Sequence, residues 1–164
     1  MRYVYIDPSA WVKRYYHETG TALTNQLFDT LLRSRPSRLL CSRIWMPEVV
    51  AVLHRHRNAG RVTQSLFNTA YAHFEEETRH VRLFPVRNHQ MDAAIRHLLV
   101  HHLNATEALH LQVALEVHSR LHRQGEVLLF FAADRRLLRA AQTEGLAIFN
   151  PEVGTSAQLE SLLS

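Results

Sequence analysis

The sequence is poor in several features, and each scarcity excludes a class of protein. A single cysteine, Cys41, excludes an intramolecular disulfide framework and favours a reducing compartment. The five glycines form no glycine-rich phosphate loop, and neither Ser9 nor Ser42 lies in a Gly-x-Ser-x-Gly elbow. No apolar run approaches the roughly 20 residues of a membrane span, and the N-terminus lacks the pattern of a signal peptide. We therefore expect a soluble cytoplasmic protein with no membrane partner.

Lysine is nearly absent as well. Lys13 is the one lysine among 19 basic residues, and the formal net charge of the 164-residue chain is +4. The planar guanidinium of arginine suits bidentate contact with phosphate, which makes nucleic acid a reasonable partner. Arginines that only solvate helix faces would explain the same composition, so charge leaves this question open.

Strand-like and helix-like segments alternate along the chain. Apolar, β-branched or aromatic runs predict strands at 2–6, 38–42, 80–84, 127–133 and 146–149, with a break at 34–37 before the second of them. Amphipathic spacing predicts helices between them, at 8–17, 21–33, from 42–47 to about 60, 63–78, 88–101, 108–123 and 135–144. This alternation predicts one three-layer α/β domain over 1–151, with a mainly parallel sheet of about five strands and 152–164 as a tail or short helix.

Two aspartates stand where a predicted strand passes into a helix. Asp7 follows the first strand and precedes Pro8, and Asp134 follows the fourth. A helix N-cap explains either aspartate alone. If both strands are parallel neighbours, however, the two side chains lie at one edge of the sheet, where open α/β sheets bind ligands. We expect the two carboxylates to converge there.

Two glutamates and a serine are further candidates. Glu48 stands in the first turn of a helix among apolar residues such as Trp45 and Val49, where a charge needs a reason. Glu107 follows Asn104 by three residues, which matches a capping box and explains it locally. Ser9, two residues after Asp7, is either a donor that orients a metal-bound water or phosphate, or a second capping hydroxyl.

Four carboxylates in a small space would repel one another by roughly 3 kcal/mol per pair at about 5 Å and an effective dielectric of about 20. A divalent cation would relieve this repulsion, and oxygen ligands without cysteine favour Mg²⁺ or Mn²⁺. Such an ion can activate water and neutralise a phosphoryl group. A rival zinc site is suggested by His97 and His101, four residues apart, and by His54 and His56. No His-Glu-x-x-His pattern accompanies them, and such spacings arise by chance among 12 histidines.

Three blocks of sequence, in this order, resemble PIN-domain nucleases and particularly VapC-like toxins of toxin–antitoxin pairs. They are YIDPSAWVKRY at 5–15, PEVVAVLHR at 47–55, and EALHLQVAL at 107–115 followed by ADRRLLRAA at 133–141. The resemblance extends through Gly145-Leu146 to Asn150-Pro151 and so spans most of the chain.

The resemblance implies a ribonuclease with an acidic pocket for one or two Mg²⁺ or Mn²⁺ ions and a metal-activated water that attacks the RNA backbone. Position by position, Asp7 matches the acid of the first strand, Glu48 the helix glutamate and Asp134 the acid after the fourth strand. Glu107 stands where the family usually has aspartate. The four acids would be catalytic and would hold the metal, with Ser9 in support. The resemblance also implies an antitoxin partner and a homodimer, for which aromatic faces such as Phe67, Tyr71 and Phe74 could serve.

Two departures keep a second interpretation open. Glutamate at 107 moves a ligand by more than an ångström, and Ala132-Ala133 lacks the hydroxyl often found before the last acid. The chain could therefore be a degenerate PIN-like domain that binds a partner or RNA without cleaving it. A phosphoryl-transfer domain with Asp7 as nucleophile is a third possibility. That chemistry requires an aspartate at the position of Ser9 or a lysine after one of the last strands, whereas the single lysine of the chain is Lys13.

Overall fold

The computed structural model describes residues 2–34 and 38–163 and contains one parallel sheet. Its strands lie in the order β3-β2-β1-β4-β5. Their bounds are β1 Arg2–Ile6, β2 Leu39–Ser42, β3 Arg82–Phe84, β4 Val127–Phe131 and β5 Ala147–Phe149. The predicted α/β class and five-stranded parallel sheet are confirmed. Of the predicted break at 34–37, residues 35–37 lie outside the described residues.

The helices are α1 Pro8–Trp11, α2 Thr21–Ser34, α3 Trp45–Asn58, α4 Gln64–Thr78, α5 Asn88–His101, α6 Ala105–His122, α7 Arg135–Thr143 and α8 Ser156–Leu163. Alternate residues of each central strand point to opposite faces of the sheet. Val4 and Ile6 of β1 belong to a core shared with α1 to α4 and α8, whereas Tyr5 belongs to a second core shared with α5, α6 and α7. The domain therefore has the three layers that the sequence predicted.

The centre of the sheet fixes where a site can form. From β1 the chain builds β2 and β3 on one side and then crosses to β4 and β5 on the other. The backbone N–H of Asp7 donates to the carbonyl of Phe131 over 2.9 Å, so the two strand ends are joined up to the first predicted acid. The crevice beyond β1 and β4 is a topological switch point, the usual ligand site of an open α/β sheet.

Several local predictions were wrong. The helix predicted at 8–17 consists only of α1 and a 3₁₀ turn, Val12–Arg14. The hydroxyl of Thr21 lies 2.8 Å from the carbonyl oxygen of Lys13 and 2.9 Å from that of Tyr16, and it replaces the helical hydrogen bonds there. Helix α6 begins three residues before the predicted start, and β4 ends at Phe131 rather than at 133. In α4, Leu66 was expected on the inner face but is 45% exposed.

The aromatic face proposed for a dimer also needs correction. Phe74 is only 2% exposed, because it packs against Trp11 and Trp45 in the core, so it cannot present a surface to a second chain. Phe67 and Tyr71 are half-buried. None of the helices in the described residues has the length and apolar character required to cross a membrane.

Candidate functional site

A cavity of about 550 Å³ opens beyond the carboxyl ends of β1 and β4, and every predicted site residue lines it. The acids come from four different places: the ends of two strands and the first turns of α3 and α6. The lining residues are Asp7, Pro8, Ser9, Glu48, Ala51, Val52, Arg55, Asn104, Thr106, Glu107, His110 and Asp134.

Asp7 is the most deeply placed of the acids, with 5% of its surface exposed. It is the N-cap of α1, as its position predicted, and its Oδ2 accepts a hydrogen bond from the N–H of Ser9 over 2.9 Å. Burial raises the pKa of Asp7, and the charge of Glu48 raises it further. His110 and the hydrogen bonds from Ser9 act in the opposite direction. Asp7 is therefore a buried carboxyl group whose pKa is raised mainly by burial, with Glu48 and His110 as its electrostatic neighbours.

Asp134 is also an N-cap, as predicted, because its Oδ1 accepts from the N–H groups of Arg136 and Leu137, both at 2.8 Å. Ser9 connects this loop to α1 in a way that neither reading of the sequence anticipated. Its Oγ accepts from the N–H of Ala133 over 3.0 Å and from that of Asp134 over 3.3 Å. The serine thus fixes one acid-bearing loop against the other.

Glu48 is held by a histidine that the sequence argument did not single out. Nε2 of His110 lies 2.7 Å from Oε2 of Glu48, and Nδ1 lies 3.0 Å from Oγ of Ser42 and 3.3 Å from the hydroxyl of Tyr5. Burial alone would raise the pKa of Glu48, but the hydrogen bonds from His110 and Thr106 outweigh it and lower the pKa. One sequence signal existed: His110 follows Glu107 by three residues and therefore lies on the same face of α6.

Glu107 has two local partners. It forms the predicted capping box, in which Oδ1 of Asn104 accepts from the N–H of Glu107 and the N–H of Asn104 donates to Oε2 of Glu107, both over 2.9 Å. Nη2 of Arg136 lies 3.0 Å from Oε1 and 2.9 Å from Oε2. This glutamate is therefore the acid of the cavity that pairs with an arginine, a side chain that stays charged.

The donor set suits a hydrated oxygen-binding cation. Among the described residues, the hydrogen bonds of Asp7 and of Asp134 use one carboxylate oxygen each, which leaves the other oxygen of each for a ligand bond. Within residues 2–34 and 38–163, no three acids of the cavity have ligand atoms within 4.8 Å of one another. Mg²⁺ tolerates this spacing because it keeps several waters and binds through one or two carboxylates. The pairing of Glu48 with His110 and of Glu107 with Arg136 offsets part of the mutual repulsion.

The two histidine pairs considered for zinc differ. His54 is exposed and contacts Arg57 and Asn58. His97 and His101 instead meet Glu144, and this group lies outside the acidic cavity.

Comparisons with known proteins identify the fold. No protein-family model matches the chain, and no curated protein matches its sequence. Among solved structures, PAE2754 from Pyrobaculum aerophilum aligns over 98% of this chain and 89% of its own, with a TM-score of 0.65 and 19% identity. VapC20 of Mycobacterium tuberculosis, a sarcin–ricin loop cleaving toxin, aligns over 93% and 99%, with a TM-score of 0.59 and 17% identity. At such identities the likeness shows a shared fold.

Proposed function

We propose that this chain, which has the PIN-like fold of VapC proteins, is a Mg²⁺- or Mn²⁺-dependent ribonuclease that hydrolyses RNA phosphodiesters. The observation that carries the proposal is the convergence of Asp7, Glu48, Glu107 and Asp134 on one cavity at the switch point of the sheet. These four acids are far apart in sequence and belong to four different elements. Helix capping explains three of them singly but does not explain why all four share a cavity.

The four acids of the cavity have different roles in this proposal. Asp7 and Asp134, on adjacent strand ends, hold the cation through their remaining oxygens or through water. Glu48, kept ionised by His110, and Glu107, paired with Arg136, complete the acidic ring. When bound, the ion supplies an activated water and neutralises charge on the phosphate under attack.

Arginine at the rim supports an RNA substrate. Arg55 lines the cavity and is exposed, so its guanidinium can pair with a phosphate next to the scissile bond. The formal net charge of +4 favours association with a polyanion. VapC20 is a toxin that cleaves the sarcin–ricin loop, and we propose an RNA substrate for the present chain as well.

Partners follow from the same likeness. We propose that an antitoxin protein restrains the nuclease, that the chain forms a homodimer, and that it acts in the cytoplasm together with its RNA. The resemblance to VapC-like toxins supports the first two, and the single cysteine supports the third.

Cleavage of RNA by the purified protein tests the proposal. We expect cleavage with Mg²⁺ or Mn²⁺, none with EDTA, and a loss of about 100-fold or more in Asp7→Asn and in Asp134→Asn, because metal-ion catalysis contributes several kcal/mol. Asparagine caps a helix as well as aspartate does, so both variants should fold. Asp92→Asn, at an exposed position of α5, is the matched control and should cleave at the wild-type rate. Equal cleavage by wild type and Asp7→Asn would refute the proposal.

The pairing of Glu107 with Arg136 favours one alternative, a PIN-like domain that binds RNA or a partner without cleaving it. With both its oxygens held by the guanidinium, Glu107 is a poor metal ligand. This alternative predicts RNA binding that is indifferent to EDTA and to Asp134→Asn, with no product under any metal. Cleavage that requires a divalent ion would exclude it.

A further inference from the structure

We propose a second metal site, for Zn²⁺ or a similar borderline cation, formed by His97, His101 and Glu144. The site lies between the C-terminal part of α5 and the residue that caps the C-terminus of α7. It is independent of the proposed nuclease function.

The three side chains already converge on a small volume. The rings of His97 and His101 are stacked one turn apart on α5, with centroids 5.9 Å apart and planes inclined by 20°. Oε1 of Glu144 lies 2.8 Å from Nε2 of His101 and 3.9 Å from Nδ1 of His97. One ligand atom of each residue lies within 4.8 Å of the other two. The side chains of His101 and Glu144 are only 10% and 15% exposed, so the group is largely enclosed.

His97 supplies a second observation, which supports a ligand at this place when it is taken together with the convergence of the three side chains. Its side chain is 2% exposed, yet among the described residues its Nδ1 has no hydrogen-bond partner, although it faces the carboxylate of Glu144. A buried polar atom without a hydrogen-bond partner destabilises the folded protein. A metal–nitrogen bond would satisfy this atom.

The neighbouring hydrogen bonds prepare the same atom for a metal. Nε2 of Gln112 donates to Oε1 of Glu116 over 3.1 Å. Because an ionised carboxylate only accepts, this contact turns the Gln112 amide so that its oxygen lies 3.0 Å from Nε2 of His97. The proton of the imidazole is therefore on Nε2, and Nδ1 presents a lone pair to the site. Hydrogen bonding of the distal ring nitrogen in this way is usual for metal-binding histidine.

The donor set points to zinc rather than magnesium. Two imidazole nitrogens and one carboxylate leave a fourth tetrahedral position for water, a common zinc arrangement. Zinc–ligand bonds of about 2.0–2.1 Å place neighbouring ligand atoms roughly 3.3 Å apart. To reach this spacing, Nδ1 of His97 and Oε1 of Glu144, now 3.9 Å apart, must move slightly closer. Nε2 of His101 and the same oxygen, now 2.8 Å apart, must move slightly farther apart as the ion takes the place of the proton between them. The other oxygen of Glu144 stays with Arg96, at 3.3 Å.

The site is distinct from the acidic cavity. Asp134 caps the N-terminus of α7 and Glu144 caps its C-terminus, with nine helical residues between them, or about 14 Å at 1.5 Å per residue. A cation held by α5 and the end of α7 would clamp these two helices together on one face of the sheet.

The chain contains its own matched control. His118 and His122 on α6 repeat the spacing, with stacked rings 5.8 Å apart and planes inclined by 26°, and among the described residues Nδ1 of His118 is likewise buried without a hydrogen-bond partner, so the pair differs from His97 and His101 in lacking an acid. Within residues 2–34 and 38–163, however, no acid joins them in a three-ligand group. If i, i+4 histidines alone sufficed, both pairs would bind metal equally.

The test is Zn²⁺ binding by the full chain in excess Mg²⁺, measured by competition with a chromogenic chelator. We expect one Zn²⁺ per chain and a higher melting temperature in wild type, in His118→Ala and in Asp134→Asn. Binding should be lost in His101→Ala and in Glu144→Gln, two positions at the edge of the core that leave the buried His97 in place. Gln112→Leu should bind about 10–100-fold more weakly.

Undiminished binding in His101→Ala or Glu144→Gln would overturn the assignment, as would loss in His118→Ala. The visible absorption of Co²⁺ gives a second readout, because two nitrogens and two oxygens in a tetrahedron produce intense bands that a hydrated ion lacks. Weak octahedral bands in wild type would contradict the site. Retained Zn²⁺ binding in Asp134→Asn keeps this proposal separate from the nuclease assay.

Discussion

At the scale of single residues, the aspartates of the cavity have two uses for one side chain. One carboxylate oxygen of Asp7 caps the N-terminus of α1, and one carboxylate oxygen of Asp134 caps the N-terminus of α7. The second oxygen of each aspartate is left for a ligand. This is why the sequence predicted both positions: a strand, an acid and a helix follow one another in the chain. His110 and Arg136 escaped prediction because their partners, Glu48 and Glu107, come from other elements and nothing local marks the pairing.

The raised pKa of Asp7 gives a residue-scale prediction for Asp7→Asn without metal. Burial raises the pKa in the folded protein, so the folded state binds a proton more tightly than the unfolded chain. The free energy of unfolding therefore falls as the pH rises from the pKa of Asp7 in the unfolded chain to its pKa in the folded protein. Above the folded-state pKa, this loss of stability is complete. Asparagine removes the charge and keeps the cap.

We expect the metal-free variant to be more stable than wild type at pH 7. The difference should shrink as the pH falls toward the unfolded pKa of about 3.9 and vanish well below it, where Asp7 is protonated in both the folded and the unfolded chain. Urea unfolding at several pH values measures this, with Asp92→Asn as the exposed control. A wild type that is the more stable of the two at pH 7 would show that the burial of this carboxylate is not costly.

At the scale of elements, the alternation of strands and helices could be read from the sequence, but where an element stops depends on distant partners. Beyond α1 the chain does not continue as an α-helix to His17, and the hydroxyl of Thr21 contacts the carbonyls of Lys13 and Tyr16 in that segment. Strand β4 stops at Phe131 because the N–H of Ala133 turns to Ser9 rather than to a neighbouring strand. Both contacts join residues that no periodicity connects.

Ser9→Ala tests this junction between elements. The substitution leaves two N–H groups, those of Ala133 and Asp134, without the acceptor they share, and an unsatisfied buried donor costs about 1–3 kcal/mol. We expect a loss of unfolding free energy in this range by urea titration and a weaker response to Mg²⁺, because the Asp134 loop is no longer fixed against α1. Ser65→Ala, on the exposed face of α4, should change neither. A Ser9→Ala protein as stable as wild type would mean that this bond does not hold the junction.

At the scale of the whole molecule, the fold explains why acids far apart in sequence meet. Strands β1 and β4 are neighbours at the switch point of the sheet, where the strands that follow β3 are added on the other side of β1. Helices α3 and α6 approach that edge from opposite faces of the sheet. The parallel pattern predicted the common edge, but it could not predict that Glu107 would be turned toward Arg136. Nor could it predict the meeting of α5 with Glu144, since this depends on how two helices pack.

The central claim is that the acidic cavity binds a divalent cation, and Mg²⁺-dependent thermal stability tests it most directly. Mg²⁺ prefers oxygen ligands, so His101→Ala serves as the background that removes the histidine site. At 100 times the dissociation constant, binding to the native state alone adds about 2.7 kcal/mol, or roughly 5–10 °C for a domain of this size. We predict this rise in wild type and in His101→Ala, and none in Asp134→Asn. A wild-type melting temperature that Mg²⁺ leaves unchanged, or an equal rise in Asp134→Asn, would contradict the account.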